Sequence, residues 1–242
     1  MKIHHFNCGS HCPVGGAFFD GRSTGLFANI CTHALLLETD AGLVLVDTGY
    51  GLQDVSGKPR RRLPITWPVL VLNTRLREDD TALRQIERLG FSARDVRHII
   101  LTHLDFDHAG GIEDFPEARV HVLAVEKDAA ENRRRTFVDR QRYRPLNWHA
   151  VRDWRTYYEG GEPWLGFSAV RDVDGLPPEI LMIPLRGHTL GHAGIAISVN
   201  DGWLVHAGGA FLHHGQLHGT RPHMPPGLAL YERVMTTDLP AA

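Results

Sequence analysis

Two apolar runs around a turn set the pattern of the first quarter of the chain. Residues 33–46 are apolar on both sides of Asp40-Ala41-Gly42, which predicts two strands joined as a hairpin. The second run passes straight into Asp47-Thr48-Gly49-Tyr50-Gly51, a turn cluster at a strand end. Residues 58–78 are irregular, with Pro59, Pro64, Pro68 and the basic run Arg60-Arg61-Arg62. Over 79–89 the spacing of Leu83, Ile86 and Leu89 predicts a helix, with Asp79 or Asp80 able to cap it and Gly90 to end it. Residues 96–102 read as a buried strand, 119–125 as another, and 125 to about 135 as a helix. Residues 145–178, rich in Trp, Tyr and Pro, read as an insertion loop with little regular structure. Strand-like runs at 180–185 and 193–199 bracket the loop 186–192, a last strand is expected at 203–207, and Leu228–Met235 is a candidate last helix. No linker, low-complexity tract or tandem repeat interrupts this order. Alternating strands and helices predict one layered α/β domain over residues 1–242.

Composition narrows the function. The chain has a formal net charge of −2, which argues against a dedicated nucleic-acid binder. No apolar run reaches about 18 residues, so no membrane span is expected. The N-terminus lacks the apolar stretch of a secretory signal, and Cys8, Cys12 and Cys31 form no Cys-x-x-Cys pair. They read as reduced thiols of a cytoplasmic protein, with a regulatory Cys8–Cys12 disulfide as the alternative. Histidine is the unusual component: 16 residues, of which seven follow position 187, pointing to a metal site.

Position supports that hint. Thr102-His103-Leu104-Asp105-Phe106-Asp107-His108-Ala109-Gly110-Gly111 places four possible ligands in six residues past a buried strand. In an extended loop His103, Asp105 and Asp107 share one side, with Leu104 and Phe106 turned into the core and His108 turned back beside them. Two carboxylates and two imidazoles so close are costly unless a cation or hydrogen bonds compensate. His98 and His121, on strands, read as packed or exposed side chains. The six arginines among residues 133–144 read as a solvated face, or as an anion-attracting rim.

These segments resemble, in order, the metallo-β-lactamase superfamily of metallo-hydrolases. Asp47-Thr48-Gly49 is similar to its early turn, and residues 103–108 to its His-x-His-x-Asp-His signature. Gly187-His188-Thr189-Leu190-Gly191-His192 resembles its Gly-His-Thr-x-Gly-His loop, and His206-Ala207-Gly208-Gly209-Ala210 its Gly-Asp turn. His-x-Asp-x-Asp-His-Ala-Gly-Gly followed by Asp114-Phe115-Pro116 resembles a lactonase-like branch. The resemblance implies a four-layer αββα sandwich with metals at one edge of the two sheets. It implies metal ligation by His103, Asp105, Asp107, His108 and His188, with Asp47 and His192 supporting them from behind.

Three departures follow. Asp105 stands where most members carry His; with His103 and His188 it still completes a two-His-one-carboxylate zinc set, and it shifts preference toward Mn²⁺ or Fe²⁺. Gly209 stands where the family carries a bridging Asp. The family's final His finds no counterpart before Ala242, so a C-terminally shortened fold is expected. One firmly bound Zn²⁺ and a weak or empty second position are therefore expected, with His206, His213, His214 and His218 as substitute ligands. Asp107 is the candidate catalytic group, orienting water or protonating a leaving group. The function implied is hydrolysis of a small-molecule lactone, ester or thioester, with an acyl-homoserine-lactone-like substrate as the leading example. The alternatives are a non-catalytic member of the fold and an iron-dependent redox enzyme. Trp148, Trp154, Tyr157, Tyr158 and Trp164 are expected either to wall an apolar pocket or to pack the 145–178 segment.

Overall fold

The structure, a computed structural model, describes residues 1–56, 62–64, 71–132, 135–158, 160–217 and 222–237, with backbone alone at 168–170. Its first sheet contains β1 (Lys2–His11), β2 (Ile30–Thr39), β3 (Gly42–Val46), β4 (Thr74–Arg75), β5 (Val96–Ile100), β6 (Arg119–Leu123) and β7 (Trp154–Tyr157). They run in the order β4-β1-β2-β3-β5-β6-β7. The expected hairpin is β2–β3, antiparallel, while β3, β5, β6 and β7 are parallel neighbours. The second sheet, in the order β12-β11-β10-β9-β8, joins β8 (Glu162–Trp164), β9 (Phe167–Asp172), β10 (Ile180–Pro184), β11 (Ala193–Val199) and β12 (Gly202–His206).

Side-chain alternation builds two apolar layers. Leu35, Leu37, Val44 and Val46 of the first sheet bury against Met182, Ile195 and Ile197 of the second. Leu36, Leu45, Ile99 and Val120 point the other way. They are covered by α3 (Ala82–Arg88), through Ala82, Leu83 and Ile86, and by α5 (Ala124–Glu131), through Ala129 and Ala130. Other helices of the described residues are α1 (Ala17–Asp20), α2 (Leu52–Val55), α4 (Phe106–Ala109), α6 (Phe137–Arg142) and α7 (Pro226–Met235). Two packed sheets with helices on an outer face match the sandwich expected.

Several local expectations change. The cap of α3 is Thr81, whose hydroxyl accepts from Arg84 N–H, while Glu78–Asp80 form a separate 3₁₀ turn. The segment 145–178 is not irregular: β7 extends the first sheet and β8 and β9 extend the second. Its aromatics pack rather than wall the central cavity. Trp148 and Tyr157 are buried in the two cores, Trp164 lies edge-on to Trp203, and Tyr158 is exposed. The N-terminal strand β1 has no counterpart in the hydrophobic pattern, because His4 and His5 interrupt its alternation. The three cysteines are free thiols. No described helix is long and apolar enough to cross a membrane.

Candidate metal centre

The carboxyl ends of β3, β5 and β6 lie side by side, the edge where open parallel sheets collect ligands. Asp47 follows β3, Thr102 and His103 follow β5, and Glu126 sits in α5 just after β6. The β10–β11 loop brings in His188 and His192, and the end of β12 brings in His206 to Gly209.

The turn after β3 grips the ligand segment. Asp47 takes a left-handed φ of 56°, which a short Asp side chain tolerates. Thr48 N–H and its hydroxyl donate to the His108 carbonyl at 2.9 and 2.8 Å, and Gly111 N–H donates to the Thr48 hydroxyl at 3.0 Å. Gly49, at φ 63°, must be glycine, because a Cβ there would lie 2.1 Å from Cys8 Cβ. Leu104 and Phe106 turn into the core as expected. The segment is not extended throughout, however. Asp105 caps α4, so Asp107 and His108 stand on a helical turn. Asp107 Oδ2 lies 3.8 Å from His108 Nε2 and 3.4 Å from His11 Nε2, and it lines the same cavity as Asp105 and His188.

His103, Asp105 and His188 converge. His103 Nε2 lies 3.5 Å and His188 Nε2 3.3 Å from Asp105 Oδ2. Ligands on a tetrahedral zinc with bonds of about 2.0–2.1 Å are separated by about 3.3–3.4 Å, so these edges fit one cation. Among the described residues this is the one group of three such side chains with all ligand atoms within 4.8 Å. His103 Nε2 is buried with no hydrogen-bond partner, the state of a nitrogen that needs a cation. The residues present fit a divalent metal at this position.

Hydrogen bonds set the tautomers. The Thr102 hydroxyl donates to Asp47 Oδ2 at 2.7 Å and accepts from His103 Nδ1 at 2.8 Å, which leaves the His103 Nε2 lone pair facing the site. His108 Nδ1 donates to Asp47 Oδ2 at 2.8 Å, which leaves Nε2 as the nitrogen not engaged by Asp47. His192 differs: Nδ1 donates to the Leu185 carbonyl at 2.8 Å and Nε2 accepts from Gly209 N–H at 2.8 Å, so neither nitrogen is left to ligate.

Electrostatics divide the imidazoles. Burial and the neighbouring His108 lower the pKa of His103 to about 4. Burial also disfavours charge on His108, but Asp47 and Asp107 outweigh it and raise its pKa to about 9. Burial opposes ionisation of Asp105 and Asp107. The Arg142 guanidinium nevertheless holds Asp105 well below the usual carboxylate range, and His108 and His11 hold Asp107 at about 2.

The substitute candidates His206, His213 and His214 line the same cavity, and His206 and His213 have other partners. His206 Nε2 is 3.3 Å from the His33 carbonyl, and its Nδ1 accepts from Gly208 N–H at 3.3 Å. His213 accepts from Gly215 N–H at 3.1 Å, and its ring lies tilted against that of His214 with centroids 4.2 Å apart. His218 lies outside the described residues. His98 and His121 are packed, joined by a 2.9 Å bond, and His121 Nδ1 meets Tyr157 Oη at 2.7 Å. Gly209 is closed by geometry: a Cβ there would lie 2.5 Å from His188 Cδ2, so the His188 ring fills the space a side chain would need.

Four participants escaped the pattern analysis. His11 comes from the unexpected β1, and Thr102 from a position that offers no metal ligand. Glu126, in α5, accepts Leu104 N–H at 2.9 Å and Gly191 N–H at 3.1 Å, clamping the two ligand loops together. Arg142 belongs to the arginine-rich stretch expected to be solvated, yet it is fully buried beside Asp105. Arg133 and Arg134 lie outside the described residues. The centre opens into a cavity of about 600 Å³ whose apolar wall includes Ile30, Leu204, Phe211 and Leu228.

A sequence profile described as "Metallo-beta-lactamase superfamily" matches residues 32–236, and the chain belongs to that superfamily. It is 42% identical over 219 residues to a probable metallo-hydrolase of Mycobacterium tuberculosis, a match covering 90% of this chain and 65% of that protein. A probable metallo-hydrolase of Mycobacterium bovis matches to the same extent, so the chain spans 65% of the length of these relatives. An N-acyl homoserine lactonase of Bacillus cereus is 25% identical over 199 residues, 80% of this chain and 71% of that one. Among solved structures, an N-acyl homoserine lactone hydrolase with the product N-hexanoyl-L-homoserine at its catalytic metal centre aligns with TM-score 0.62. That alignment, at 23% identity over 84% of this chain and 73% of the other, is a likeness of fold.

Proposed function

We propose that this chain is a metal-dependent hydrolase that opens a lactone, ester or thioester with a metal-activated water. The observation that carries the proposal is the convergence of His103, Asp105 and His188 with the buried His103 Nε2 left without a hydrogen-bond partner. These three side chains would hold the metal, with Zn²⁺ the best match to the donor set and Mn²⁺ or Fe²⁺ admitted by the carboxylate. Asp107 and His108 supply part of a second, weaker position. A bound divalent cation would supply a water of lowered pKa and an electrophilic contact for the carbonyl oxygen.

The chain's own residues do the rest. Asp47 and Thr102 hold His103 and His108 in the tautomers that point Nε2 at the cavity. Asp107, ionised at neutral pH, is placed to orient the attacking water by accepting its proton and to return that proton to the leaving oxygen or sulfur. The apolar wall suits an acyl chain, which favours N-acyl homoserine lactones within the class. The lactonases among its relatives support the same choice.

A non-catalytic role is favoured by one observation, the neutralisation of Asp105 by Arg142. One experiment separates the two: metal content by plasma mass spectrometry, with turnover on a panel of lactones, thioesters, β-lactams and phosphoesters. The hydrolase proposal expects near-stoichiometric metal and lactone or thioester turnover that His103→Ala and His188→Ala abolish. Protein that stays metal-free and inactive after added Zn²⁺ or Mn²⁺ overturns it.

A further inference from the structure

Asp105 already has a cation. Arg142, the last residue of α6, is fully buried. Its Nε lies 2.9 Å from Asp105 Oδ1, and its Nη2 donates to Asp105 Oδ2 at 3.0 Å. Its Nη1 donates to the His188 carbonyl at 2.7 Å and contacts Thr237 Oγ1 at 3.3 Å. The same Nη2 also lies 3.3 Å from His188 Nε2. One guanidinium nitrogen therefore reaches the two ligand atoms, Asp105 Oδ2 and His188 Nε2, that a metal at this position would bridge.

We propose that Arg142 is a positioning residue that serves as the resident cation of the first metal position, assembling its ligands without metal and competing with an incoming metal for them. The inference rests on the metal-site assignment above and goes beyond it in saying what sets metal affinity. A carboxylate this deeply buried is costly unless paired, and Arg142 supplies the pair. The bond to the His188 carbonyl also ties the β10–β11 loop to the His103–Asp105 segment, so two distant stretches are registered by one side chain. A carboxylate offers about four lone-pair sites, so Asp105 can keep Arg142 and still ligate. The metal must then sit close to a second positive charge, which weakens its binding.

The test uses the full chain after chelator treatment, with thermal unfolding with and without Zn²⁺ and zinc affinity from competition with a chromophoric chelator. Wild type is compared with Arg142→Gln and Arg142→Lys. Metal-free Arg142→Gln is expected to melt below metal-free wild type, to gain more from zinc, and to bind zinc at least tenfold more tightly. Arg142→Lys, which keeps the charge and loses the fork, is expected to fall between them. An Arg142→Gln variant that folds only when zinc is supplied supports the inference, and the Lys variant then carries the affinity comparison. Zinc bound by Arg142→Gln but not by wild type also supports it, and wild type that refuses Mn²⁺ as well overturns the hydrolase proposal for the native chain. Wild type that binds zinc, with variants that bind it equally or more weakly, overturns the inference alone. Binding of neither Zn²⁺ nor Mn²⁺ by any of the three overturns both.

Discussion

The Asp47 carboxylate receives the His108 Nδ1 proton at 2.8 Å and, through the Thr102 hydroxyl, governs the tautomer of His103 as well. One buried side chain thus orients the imidazoles of two histidines. Partners behind metal ligands typically contribute 10–100-fold to affinity or activity. Asp47→Asn is therefore expected to weaken zinc binding by roughly 10–100-fold. A competition titration on a variant with unchanged circular dichroism reads this directly, and wild-type affinity would remove Asp47 from the account.

The charge on His108 gives the metal-free protein a pH dependence of known sign. Its pKa is raised from 6.5 to about 9 in the folded chain. A group raised by folding contributes fully below its unfolded pKa, and that contribution is lost as pH rises through the folded value. Chelator-treated protein should therefore lose stability between pH 6.5 and about 9, seen as a falling urea midpoint. His108→Gln should flatten that decline. An equally steep decline in the variant would assign it to other groups.

Glu126 holds both ligand loops through backbone N–H groups. Truncating it to Ala orphans two buried donors, at roughly 1–3 kcal/mol each. Urea unfolding should show a loss of that order for Glu126→Ala and a smaller one for Glu126→Gln, which keeps a carbonyl acceptor. Equal stability of Glu126→Ala and wild type would mean the loops hold without the clamp.

At Gly209 a side chain and the His188 ring exclude one another. Gly209→Ala should cost about 1–3 kcal/mol through overpacking and weaken metal binding by displacing His188. Gly209→Asp should behave like Ala and build no second metal position. Two zinc ions per chain in Gly209→Asp, counted by mass spectrometry, would show that the ring can move aside.

How much of this was legible depends on the range over which each contact acts. The β2–β3 hairpin, the α3 helix and the strands at β5, β6, β10 and β11 follow from local apolar spacing, which side-chain alternation imposes within a few residues. The strands of 145–178 were not legible. They are short, β7 pairs with the distant β6, and β8 pairs with β9 through an irregular register, so little of their stability is written in local apolar spacing. The sequence does not show that Asp105 begins a helical turn, which sets Asp107 and His108 on α4 rather than on an extended loop.

By itself, the sequence determined which atoms could meet a metal: His103, Asp105, Asp107, His108 and His188 carry the donors, and their order along the chain resembles one family. Only the tertiary structure decided how those donors are divided and charged. It placed His103, Asp105 and His188 around one point, set Asp107 on a helical turn beside His11, filled the space at Gly209 with the His188 ring, and buried Arg142 against Asp105. The reason is that donor chemistry belongs to each residue alone. Whether an arginine is solvated or buried as a counter-ion depends instead on what the folded chain brings within about 3 Å of it.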